Sequence, residues 1–297
     1  SNSFYSNQNT PSKSSSIKNK IQLRKIIQQI SIYCFYLLDF YQQTRGTPLA
    51  TMAPPPSANV AEQQTSTNEY KILDQPIQSE YDNRQYKAIE LANGLKVLLI
   101  HEAGLDKSCA SLNVHIGHFC DPEDLQGAAH FLEHLLFMGT KKYPSEQDYS
   151  QYIISNGGYC NAFTQQEFTN YYFTVATEHF EGALDRLAQF FIAPLFDANS
   201  TEREMNAVDS EHSKNIQQDL WRFHRLSTMK ASPQHPLHKF GTGSMNTLNV
   251  ENVRDRIIDL YKTFYSSNLM TLVVYGGESL SNLVKLAVDK FSAIPLN

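Results

Sequence analysis

Two β-rich apolar runs, residues 86–91 and 95–100, flank Asn93-Gly94. That pattern predicts a hairpin closed by a tight two-residue turn, because Asn-Gly readily supplies the positive φ angles such a turn needs. Residues 111–117 alternate polar and apolar, with Leu112, Val114 and Ile116 on one side, the period of a half-buried strand. Asp121-Pro122-Glu123-Asp124 is helix-start chemistry, and the helix it opens is expected to run to about Met138 and stop at Gly139. Ser145-x-x-Asp148 reads as a capping box for a second helix through Ile154, ended by Gly157-Gly158. Strands are expected over 161–163 and 170–176, then helices over about 179–192 and 201–229. After a turn-rich stretch, 235–246, come a helix (250–264), a strand (270–275) and a last helix (281–291). Strands and helices each come in runs rather than in strict alternation, which argues for an α+β fold.

Charge divides the chain. Six of the 25 basic residues but only one of the 30 acidic residues, Asp39, fall within the first 51 positions, so the remainder is net acidic. Residues 1–51 admit two readings. One is a basic targeting leader. The other, favoured by the absence of an Arg-rich amphipathic face, is untranslated sequence upstream of a start at Met52. Residues 53–68 are rich in Pro, Ser, Thr, Gln and Asn, and the whole of 1–68 is expected to be a disordered leader ahead of a folded domain over 69–297. The overall charge of −5 does not point to nucleic acid or an anionic membrane surface. No apolar stretch reaches the 18 residues of a membrane span. Cys34, Cys109, Cys120 and Cys160 show no C-x-x-C spacing and suit reduced thiols in a cytoplasmic protein, with the mitochondrion as the alternative if the leader is real.

The chemistry is concentrated in His130-Phe131-Leu132-Glu133-His134, an H-x-x-E-H motif. At 100° per residue these three polar groups share an arc of about 100° on a helix. Imidazoles one turn apart can hold one metal ion, and Glu133 lies within reach of a water on it. Neighbouring positions are almost all apolar, so the helix is expected to be buried and its polar groups need partners. Two core histidines paired with a glutamate would also satisfy that need. A catalytic zinc wants a third protein ligand. Glu204 and Glu211, seven residues apart, fall on one face of the expected long helix, where one could ligate and the other orient a ligand histidine. Spacing does not choose between them, and glutamates so spaced also suit a solvated face.

These residues are similar to pitrilysin-type zinc peptidases, in particular their insulin-degrading (insulysin) branch. Gly127 to Pro144 resembles the active-site helix together with the loop after it. Asn161 to Thr164 with Thr169 to Tyr172, Glu181 to Arg186, Asn206 to His212, Lys239 to Gly243 and Tyr265 to Leu269 carry the likeness from about Tyr70 to the end. The resemblance implies a mixed, mostly antiparallel sheet packed by helices on one side. It implies zinc held by His130, His134 and Glu211, an outer acid at Glu204, and Glu133 as general base. It also implies that Asn161, Ala162 and Phe163 receive peptide substrates as an added β-strand. Enzymes of this branch resemble four homologous domains in one long chain, and the C-terminal half, which holds substrate and developing oxyanion, has no counterpart here. This chain is therefore expected to bind zinc and to cleave small to medium peptides weakly on its own. The same likeness admits two alternatives, a catalytic subunit of a mitochondrial processing peptidase and a non-catalytic scaffold, and self-association stays open. Elsewhere, Asn199-Ser200-Thr201 is expected to be a loop and helix cap, Trp221 to fill the core, and His212 to sit near the site or the surface.

Overall fold

The computed structural model describes residues 69–297; the expected leader lies outside the described residues. The chain runs β1 (Tyr70–Ile72), β2 (Gln85–Leu91), β3 (Lys96–His101), β4 (Lys107–Val114), α1 (Ala128–Leu136), α2 (Asp148–Ser155), β5 (Tyr159–Thr164) and β6 (Thr169–Ala176). It continues with α3 (Phe180–Ile192), α4 (Ala198–Asn215), α5 (Asp219–Met229), α6 (Met245–Leu248), α7 (Val253–Phe264), β7 (Met270–Gly276) and α8 (Leu280–Phe291). The seven strands form one sheet in the order β1-β2-β3-β7-β4-β6-β5. Only the β3–β7 ladder is parallel, so the α+β, mostly antiparallel architecture is as expected.

One sheet face carries Ile89, Val97, Leu99, Leu112, Val114, Tyr171, Phe173, Leu272 and Val274, which join the helices in a single core. Helix α8 covers β2 and β3, α3 lies on β4 and β6, and α1 and α2 lie on β5 and β6. The α1 residues Phe131, Leu132, Leu135 and Leu136 are fully buried. Burial on this scale, about 2 kcal/mol per large side chain, is what seats α1.

Several local expectations need correction. The β2–β3 hairpin has the expected strands, but its loop holds three residues, since Leu91 N–H reaches Leu95 O at 2.9 Å. Only Gly94 takes positive φ, at 85°. Asn93 instead donates from its side chain to Phe291 O (3.0 Å) and Ile294 O (3.1 Å), tying the turn to the end of α8. Strand β4 is not half-buried. It lies between β7 and β6, and all its residues after Lys107 are buried. Helix α1 begins at Ala128, seven residues after Asp121. The acid still serves the helix start through space: its buried carboxylate accepts from Gly127 N (2.7 Å) and Ala129 N (2.9 Å), two amides with no partner inside the helix. The Ser145 capping box does not form, and Asp148 binds Arg186 Nε at 2.7 Å instead. The expected 201–229 helix is two, broken after the buried Asn215, a weak helix former that no glycine or proline announces. The α4 cap is Asp197, which accepts from Asn199 N and Ser200 N. Trp221 is 43% exposed rather than core, because α5 buries only Thr228 among its residues.

Candidate metal centre

Helix α1 turns its apolar side into the core and its histidines toward α4. His130 Nε2 lies 3.5 Å and His134 Nε2 3.7 Å from Glu211 Oε2. One ligand atom from each of the three residues lies within 4.8 Å of the others. Donors at about 2.0–2.1 Å from a tetrahedral ion are about 3.4 Å apart, so the two carboxylate distances are close to what a single ion needs.

The far nitrogens of both rings are engaged. His130 Nδ1 contacts Thr242 O at 2.7 Å, and His134 Nδ1 contacts Glu204 Oε2 at 3.0 Å. An acceptor at Nδ1 keeps the proton there and leaves the Nε2 lone pair free for a cation. The rings stand edge to face, centroids 4.8 Å apart. Glu133 is 7% exposed, and its Oε2 accepts from the Thr164 hydroxyl at 2.5 Å.

The electrostatics of this arrangement favour positive charge. Burial disfavours the His134 imidazolium, but the Glu204 and Glu211 carboxylates outweigh it and push its pKa up to about 9. The close His134 ring, followed by the nearby His130, holds Glu211 below the usual carboxylate range despite partial burial. Burial raises Glu133, with His130 and the Thr164 hydroxyl opposing it. A divalent cation that displaced the Nε2 protons would meet two neutral imidazoles and two carboxylates, whose negative charge it would neutralise.

Comparison with known proteins places this geometry. A family model described as insulinase (peptidase family M16) matches residues 96–234, and one described as the peptidase M16 inactive domain matches 252–297. The chain is 51% identical over 230 residues to the mouse insulin-degrading enzyme, covering 75% of this chain and 23% of that protein. It is 47% identical over 227 residues to the A-factor-processing enzyme of Saccharomyces cerevisiae, covering 74% of this chain and 22% of that one. A crystal structure of pitrilysin superposes with a TM-score of 0.75 at 38% identity, covering 77% of this chain and 25% of that chain. The chain belongs to the insulinase peptidase family. It spans less than a quarter of the length of the curated relatives named here.

In this insulinase-family chain, His130, His134, Glu211 and Glu204 converge from two helices, and Glu133 lies on the same helix as the histidines. Asn161, Ala162 and Phe163 lie on β5, which among the described residues pairs only with β6 and so forms an edge of the sheet. Asn161 is exposed, Ala162 buried and Phe163 half-buried. His212 packs its ring on Phe240, centroids 4.9 Å apart. Sequence reasoning assigns no role to Thr164 or Thr242. Thr164 ends the Asn-Ala-Phe-Thr block, so its place beside Glu133 is open to a register argument. The Thr242 contribution is a backbone carbonyl, which leaves no trace in side-chain chemistry.

Proposed function

We propose that His130, His134 and Glu211 hold one zinc ion and that Glu133 is the general base of a peptide-bond hydrolase. The observation that carries this reading is the set of three convergent donors, each histidine fixed through its far nitrogen, with a buried acid at the adjacent helix position. Two imidazoles and one carboxylate form a donor set suited to catalytic zinc, which leaves a coordination position open. When bound, zinc would polarise a peptide carbonyl and acidify a water. Thr164 holds Glu133 in one orientation, and the buried carboxylate takes the water proton and passes it to the leaving amine. Glu204 keeps the His134 ring in place.

The edge strand β5 offers main-chain groups to an extended peptide, a mode that demands little of its side chains. The curated relatives are named for insulin degradation and A-factor processing. Small to medium peptides are the proposed substrate class. This chain alone is proposed to bind zinc while cleaving peptides slowly, the rest of a longer enzyme supplying further groups that hold the substrate.

Metal analysis with prolonged peptide digestion tests the reading. Purified chain should carry one zinc, Glu211→Ala should lose most of it, and Glu133→Gln should keep it while losing the slow cleavage. A zinc-free wild type, or a Glu133→Gln variant cleaving at the wild-type rate, would sink the proposal.

A further inference from the structure

Residues 239–243, Lys-Phe-Gly-Thr-Gly, supply no proposed metal donor, yet every one of them is packed against the helices that carry the donors or the segment 118–127 leading into α1. Lys239 is nearly buried, its side chain 11% exposed, and its ammonium donates to Phe119 O (3.0 Å) and Asp121 O (2.7 Å), with Glu123 Oε1 at 3.4 Å. Phe240 N donates to Gln126 Oε1 at 2.7 Å. Its ring contacts the His212 imidazole edge-on, and the Arg225 guanidinium lies 5.2 Å from the ring centroid. Gly241 faces the His118 ring so closely that a Cβ there would be 2.5 Å from Cγ. Thr242 presents its carbonyl to His130. Gly243 meets Gly127, where a Cβ would come within 2.2 Å of the Gly243 Cα.

These contacts reach both helices of the centre. Gln126 and Gly127 lead into α1, while His212 comes directly after the donor Glu211 on α4. Just past the segment, Met245 N donates to Asp209 Oδ1 on α4 at 2.7 Å. A carbonyl selects one tautomer of a histidine only if the carbonyl itself cannot move. Free main chain in a loop would let Thr242 O turn to water. Here the ammonium at one end and the glycine-to-glycine contact at the other remove that freedom.

We propose that residues 239–243 act as a positioning strap: anchored by Lys239, they hold the Thr242 carbonyl against His130, keep its Nε2 free for the metal, and set the spacing of α1 from α4. The strap rests on the proposed role of His130 as a metal ligand. It predicts that an anchor remote from the ion controls metal affinity. Outer partners of ligand histidines typically change affinity 10–100-fold.

The test compares the full 297-residue chain with Lys239→Met and, as a control for lost ion-pair stability, Arg186→Met. Arg186 binds Asp148 and stacks between Tyr143 and Tyr152, contacts that do not involve the metal donors. Metal-free protein with ¹⁵N-labelled histidine, at pH 8, reports the His130 tautomer by NMR, and chelator competition reports the zinc Kd. Lys239→Met should convert His130 from a single Nδ1–H form to a mixture and raise the Kd about 10–100-fold, whereas Arg186→Met should lower only the Tm. If Lys239→Met shifts the Tm like the control while tautomer and Kd stay unchanged, the strap proposal is overturned. A wild type without zinc affinity would defeat the zinc reading and the strap's role toward the metal, and a His130 tautomer that still depended on Lys239 would show that the zinc reading, not the anchoring of Thr242, had failed.

Discussion

At the scale of single residues, three polar groups of the centre are each oriented by a specific neighbour. Thr164 holds Glu133, Glu204 holds His134, and a main-chain carbonyl holds His130. A further histidine close by obeys a different logic. Burial, with the nearby His224, His130 and Lys239 charges, pushes the pKa of His118 down to about 4, against one bond to the Gln165 backbone. The folded chain therefore keeps His118 neutral, while the unfolded chain takes up a proton near pH 6.5. The stability this confers is complete above pH 6.5 and drains away as the pH falls toward 4. Allowing for its partial exposure, the loss amounts to about 2 kcal/mol. Urea unfolding of metal-free wild type and His118→Gln at pH 7.5 and pH 4.5 should show the wild type losing more stability on acidification. Parallel losses would show that His118 titrates normally.

At the scale of elements, the sequence makes some features plain and hides others. The H-x-x-E-H arc and the seven-residue glutamate spacing are helical periodicities, and α1 and α4 display them as read. The start of α1 is misread because Asp121 is a cap that acts across six and eight residues, and the spacing of caps along a chain assumes local contact. The Asn215 break has no glycine or proline to mark it. The choice between Glu204 and Glu211 as donor cannot be read from spacing, because it depends on how α4 is set against α1. That packing turns on a junction without side chains. Gly127, at φ 93°, opens α1 directly against Gly243. Gly127→Ala should cost about 2–4 kcal/mol, combining the strained backbone with displaced main chain. Denaturant titration measures it; a loss under about 0.5 kcal/mol would mean the junction yields easily.

At the scale of the whole molecule, the sheet is two three-stranded groups, β1-β2-β3 and β4-β6-β5, joined through β7 alone. β7 is buried along its length and its Leu272 and Val274 are in the core. The second family match, 252–297, contains this strand, so that region is part of the same sheet against which α1 packs. A chain truncated after Leu269 should lack cooperative unfolding and show little slow amide exchange in β3 and β4, although every proposed zinc donor is retained. Retention of a sharp thermal transition by that truncation would contradict this account of the sheet.

The central place of β7 also bears on biosynthesis. The histidine pair and both glutamates leave the ribosome well before residues 270–276, yet the two halves of their scaffold have no ladder between them until that strand arrives. A nascent chain therefore carries three loosely held proposed metal donors and two unfinished sheet edges at the same time. Insertion of that one strand would close the edges and bring the proposed donors together, so that secure metal capture would wait on β7.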